Sequence, residues 1–426
     1  MPTRLGFKAV SVHFSANSYL PKMPVEFDLK TRQFSYTKIT KANLSKYAAW
    51  LSVVFFFFYF ISIGHSTYMI VRQVIKPNPA VKIKHIFLAV MMNTAGNMVV
   101  GTVIYVLWSG KEAVDRVNWL IRRYDQFQTE DMGGLLPQPI WKTTSGELDT
   151  FGIAAYAMLF PLSSVPLFAT IFGLAANLDV YQYLWHDILP VKVVNHLWTR
   201  IVIKFFSGIL SYIGFAESCR MLGLMGILAI APTQLMARIV KTLAEWNVGE
   251  IRNNSDHALL RLHRTYLDYV EMKIIEFTFH GYEATLAFEL IECGVWLCAA
   301  SIFATIRLYN ILPFGFYVMF PFFTFAIFGI SQLLLPVVAG IHEHSTKALA
   351  KWVEQLEGKG FNNHRCIRRQ FRALRPVRFI AGFSGFTFFL LDRSVKTYFL
   401  RSILDNTITL LIGLPEVEKS QIEFKY

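Results

Sequence analysis

Apolar residues in this chain gather into long blocks, near 48–71, 86–110, 150–176, 205–236, 281–306, 310–341 and 379–414, separated by polar and charged segments. Most blocks exceed the roughly 20 residues that an α-helix needs to cross a bilayer. The pattern therefore predicts an all-α membrane protein with seven transmembrane helices. The seventh block is the least regular. Its first part, Phe379–Leu391, is 13 residues long, which as a helix gives about 20 Å and falls short of about 30 Å of hydrocarbon. Thr397–Leu414 is long enough, so it is expected as the spanning helix and Phe379–Leu391 as a lead-in helix.

Helical periodicity continues past several blocks. Lys111–Leu120 extends the second, Leu259, Leu262, Tyr266, Tyr269 and Ile274 follow the fourth, and Thr346–Leu356 follows the sixth. These extensions predict a helical layer outside the bilayer.

Charge sets its side. Lys and Arg number eight, five, six and nine in the first, third, fifth and seventh segments between blocks, against four, three, one and two in the others. Cytoplasmic loops retain basic residues, so the N-terminus is expected in the cytoplasm, the C-terminus outside, and the helical layer on the cytoplasmic side. This is the reverse of a G-protein-coupled receptor. The chain then divides into a cytoplasmic arm over 1–46 with no sustained periodicity, expected to be partly ordered at best, a six-helix membrane bundle with cytoplasmic extensions over 47–341, a basic cytoplasmic segment and lead-in helix over 342–395, and a seventh, pore-lining helix with a short outer tail over 396–426.

With 54% hydrophobic and 17% charged residues, the composition fits a multi-pass protein of the plasma membrane, surrounded by lipid. The net charge of +13 lies in alternate loops, so it is explained by an anionic inner leaflet and not by nucleic acid. Residues 1–46 lack the apolar core of a signal peptide. Cys219, Cys293 and Cys298 fall in spans and Cys366 in the most basic loop, so no extracellular disulfide is expected. The sequons at Asn43 and Asn253 lie on segments placed inside and should stay unglycosylated.

A charge inside the bilayer is costly unless paired or hydrated, so each one is a site candidate. Glu217 and Arg220 lie on one face of the fourth span and either pair structurally or meet a polar ligand. Glu289 and Glu292 share a face of the fifth span without a basic partner in it, which suggests a hydrated cavity. In the seventh span Arg401, Asp405, Asn406, Thr407 and Thr409 make a polar face, with Glu416 beyond. Arg401 and Asp405 either pair or line water, and a ring of Glu416 carboxylates about a symmetry axis would favour cations. His342-Glu343-His344 is no metal site, because His residues two apart point to different faces of a helix. No cofactor is expected. No nucleophile, P-loop or zinc motif appears, so the chain is not expected to be an enzyme.

The stretch Gly385-Phe386-Thr387-Phe388-Phe389-Leu390-Leu391-Asp392-Arg393-Ser394 is similar to the Gly-Phe-Phe-x-Leu-Asp-Arg-Ser region of the insect chemoreceptor superfamily, gustatory receptor branch. With the inverted seven-span order it makes the chain resemble that family. Gustatory receptors then carry Thr-Tyr, five hydrophobic residues and Gln-Phe. Here Thr409-Leu410-Leu411-Ile412-Gly413-Leu414-Pro415-Glu416-Val417 keeps the Thr and the spacing but not the Tyr, Gln or Phe, so the resemblance is to a divergent member. It implies a taste receptor that is a homotetrameric, ligand-gated, non-selective cation channel, or a hetero-tetramer with related receptors, opened by a small-molecule tastant or other chemical ligand. Thr409 and Glu416 would then face the pore, and Trp296 and Tyr317 the ligand pocket. A secondary transporter and a G-protein-coupled-type receptor are the alternatives.

Overall fold

The computed structural model describes residues 4–77, 83–131, 141, 149–175, 181, 185, 189–190, 196–245, 256–278, 281–309, 312, 314–357, 365–383 and 386–413. Six of its helices are long and apolar enough to cross a membrane. They are α2 (Leu44–Ile75), α3 (Ile83–Asp131), α4 (Thr150–Ala175), α5 (Leu197–Glu245), α7 (Tyr282–Arg307) and α8 (Met319–Glu357). Helix α2 passes through a π-helical stretch, Ser52–Ile63, that covers the Phe55–Phe60 run. Helix α5 is central, with 67% of its apolar window buried against 22–50% in the other five.

Close helix contact depends on small residues in α3. Ile63 of α2 packs onto Gly96 so tightly that a Cβ there would lie 2.6 Å from its Cγ1. The carboxyl of Glu289 in α7 fills the space beside Gly101 in the same way.

The expected extensions are present. Helices α3, α5 and α8 run 49, 49 and 39 residues, well beyond the roughly 20 that hydrocarbon requires. Between α5 and α7 lies α6 (Asp256–Thr278), and after α8 comes α9 (Arg365–Ala373). Buried Tyr269, Trp352 and Phe371 from α6, α8 and α9 interlock there, with ring centroids 5.7 Å apart for both the Tyr269–Trp352 and Trp352–Phe371 pairs.

Two segments differ from the sequence expectation. The described part of the arm, residues 4–46, is ordered: α1 (Arg4–Ala16) packs along α4, and strands β1 (Val25–Asp28) and β2 (Gln33–Tyr36) pair antiparallel. Asn118 of α3 clamps this hairpin, accepting from the Phe34 amide at 2.8 Å and donating to its carbonyl at 2.7 Å. The order comes from contacts with the long helices, which local periodicity does not record.

The second difference is the lead-in helix. Ile380–Phe383 and Phe386–Leu390 form an antiparallel hairpin, β3 and β4, with a register shift at Ala381/Gly382. Gly382 sits where a side chain would strike the Phe386 backbone. Aromatic and β-branched residues on both sides of Ser384-Gly385 favour two strands over one short helix. The last of the described helices is α10 (Arg393–Gly413), whose Arg393, Lys396, Arg401 and Asp405 set it apart from the six apolar spans.

Candidate functional site

A cavity of about 340 Å³ lies within the bundle, walled by α2, α3, α4, α5, α7, α8 and Phe399 of α10. Its lining mixes aliphatic Leu and Ile with thioether and aromatic side chains, Met91, Met92, Met98, Met158, Phe215 and Phe323 among them, with no ionisable residue except Cys219. Four serines complete it. Ser62, Ser218 and Ser331 already hydrogen-bond within the protein, whereas the Ser301 hydroxyl is buried without a partner among the described residues. Such a wall holds a neutral apolar molecule, and Met side chains adapt to its shape. In sequence these residues resemble ordinary span packing. Only the spacing of several helices separates a wall from a core.

Glu217, Arg220, Glu289, Glu292, Trp296 and Tyr317, singled out from the sequence, stand outside that wall, although Ser218, Cys219, Leu290, Ile291 and Leu297 next to them in sequence line it. Glu217 and Arg220 pair at 2.6 Å while fully buried. Trp50 donates to the second Glu217 oxygen at 2.9 Å, and Arg220 also donates to the Pro21 carbonyl at 2.6 Å. Glu289 packs against Gly101, and Glu292 accepts from the Tyr398 hydroxyl at 3.3 Å. Trp296 is half-exposed, and Tyr317 donates to the Thr305 carbonyl at 3.1 Å.

Helix α10 has two distinct faces. Val395, Phe399, Ile403 and Thr407 are buried, and Phe399 reaches the cavity. Arg401, Asp405 and Thr409 lie four residues apart on the exposed face; Arg401 and Asp405 stand 3.6 Å apart, and Thr409 donates to the Asp405 carbonyl at 2.8 Å. Glu416 lies outside the described residues.

The motif at the start of α10 anchors that helix. Asp392 accepts from the Ser394 amide at 2.8 Å and its hydroxyl at 2.5 Å, bonds that hold its carboxyl below the usual carboxylate range. Arg393 grips Glu343 at the end of the α8 span with contacts of 2.5 and 2.6 Å. Phe389 lies tilted against Phe288 and Tyr398, and Phe386 is exposed. Gly385 lies outside the described residues. His342 is bound to the Val377 carbonyl at 3.2 Å, so the His342-Glu343-His344 run is employed in fastening α8 to the segment after α9 and to α10.

This architecture is that of an all-helical membrane protein with a fold like that of an insect olfactory receptor. The chain aligns with a solved structure of the insect olfactory receptor OR5 from Machilis hrabei in complex with eugenol, at a TM-score of 0.55 and 11% identity, covering 96% of this chain and 98% of that one. Another structure of the same receptor aligns over the same shares at 12% identity and a TM-score of 0.49. No protein-family model matches the chain, and no curated protein matches it in sequence.

Proposed function

We propose that this protein is a chemosensory receptor of the gustatory kind that works as a ligand-gated, non-selective cation channel. Four copies, or a mixture with related receptors, would surround a pore in the plasma membrane, each with its N-terminus in the cytosol. The observation that carries this reading is the double role of α10: Phe399 on its buried face touches the cavity, while Arg401, Asp405 and Thr409 form a polar stripe on its exposed face. A ligand that fills the cavity displaces Phe399, and the stripe moves with it. The uncharged, Met-rich wall and the unpaired Ser301 hydroxyl favour a neutral, lipophilic ligand with one hydrogen-bonding group, a class that includes the eugenol held by the OR5 structure.

The test is electrical. Expressed alone in oocytes, the protein should pass cations when small neutral aromatic compounds are applied. Ala326→Trp, which fills the cavity, should abolish the response without reducing surface expression. Asp405→Lys and Glu416→Lys should each shift the relative permeability of cations, and unchanged permeation in both would remove α10 from the pore. Native mass measurement should count four subunits.

A further inference from the structure

His13 of α1 is buried against α5, where its Nε2 lies 3.2 Å from the Arg220 carbonyl oxygen. A carbonyl only accepts, so Nε2 carries the proton. Nδ1 then faces the Asn17 side-chain amide nitrogen at 3.5 Å, and that nitrogen also donates to the His13 carbonyl at 2.8 Å. Both ring nitrogens are thus matched to the neutral ring. A second proton, on Nδ1, would set donor against donor.

The ring has no room to turn away. It lies over Gly223 so closely that a methyl group there would overlap it, and Phe14 meets it edge-on at 6.0 Å. Among the described residues no counter-charge is free either. From α5 the neighbouring charges are Arg220, which repels a second cation, and Glu217, already engaged by Arg220 and Trp50. Helix α4, which packs along α1, has no charged residue, and Lys8 of α1 is exposed. On β1, which also touches α1, Glu26 pairs with Lys22 and Asp28 accepts from the Lys30 amide and the Thr31 hydroxyl.

We propose that α1 is a proton-sensitive latch: protonation of His13 releases α1 from the α5 turn that backs the cavity. The released turn is functional ground, because Arg220 and Gly223 hold α1 while Cys219, Leu222 and Gly226, within the same two turns, form cavity wall. Desolvation holds docked His13 at about 4, against about 6.5 for a free imidazole. Docking is therefore fully supported above the free value and weakens as pH falls from there toward the docked value. From pH 7.4 to 5.5 the ratio of released to docked α1 should rise about tenfold.

The experiment uses the full-length protein in lipid nanodiscs. Amide hydrogen exchange in residues 4–17, corrected for its intrinsic pH dependence, should speed up about tenfold over that interval, with α3 unchanged. His13→Gln should lose this response. Exchange of the imidazole C2 hydrogen, read on the wild-type chain and so independent of whether the variant folds, should titrate well below the free value. A midpoint near the free value, equal α1 exchange at both pH values, or a wild-type pH response in His13→Gln would each overturn the latch. The result does not depend on channel activity, so it stands or falls apart from the proposed function.

Discussion

Two ion pairs inside membrane helices of this protein have nearly the same sequence signature and opposite physical settings. Glu217 and Arg220, three residues apart in α5, are 0% and 4% exposed, meet at 2.6 Å and are held by Trp50 and Pro21. Arg401 and Asp405, four residues apart in α10, are 81% and 65% exposed and stand 3.6 Å apart. A charge in an apolar helix thus has two uses. The first pair fixes α2 and the segment after α1 to the central helix; the second is held only loosely and is left facing outward, where only water or another subunit can satisfy it in a membrane.

The largest expected effect comes from breaking the buried pair. Glu217→Ala leaves Arg220 uncompensated and should cost about 3–5 kcal/mol, seen as loss of monodisperse protein in detergent or a large drop in melting temperature. Gly223→Ala comes next: the added methyl overlaps the His13 ring, an overpacking worth about 1–3 kcal/mol, and it should speed amide exchange in α1 more than in α3. Trp50→Phe removes only the donor to Glu217 and should cost about 1–2 kcal/mol in the same melting assay. The smallest stability effect belongs to Arg401→Ala, within about 1 kcal/mol. That variant should nevertheless change ion permeation, and a melting loss as large as that of Glu217→Ala would erase the contrast.

The blocks of apolar residues make the six long helices legible in sequence, because crossing hydrocarbon demands length and composition that nothing else in a chain of this kind requires. The hairpin was less visible. Phe379–Leu391 has the apolarity of a buried helix, and the decisive sign, a Ser-Gly pair between two short Phe-containing runs, is local turn chemistry set against a stronger composition signal. The order of α1 could not be read at all, since it rests on packing along α4 and on Arg220 and Gly223, all far away in the chain. In the candidate site, sequence drew attention to Glu217, Arg220, Glu289 and Glu292 because charges stand out in apolar spans. The cavity is instead walled by Leu, Ile, Met and Phe, which stand out nowhere in such a chain.

Helix α10 is pinned at both extremities. Below, Arg393 is clasped by Glu343 and the first turn is closed by Asp392; above, Arg307 of α7 donates to the Leu411 carbonyl at 3.0 Å. A rod fastened top and bottom cannot swing like a door. Its remaining freedom is to twist about its own length or bow in the middle, where Phe399 and Asp405 sit about a turn and a half apart, so a push of an ångström against the aromatic ring would reach the carboxylate as a rotation.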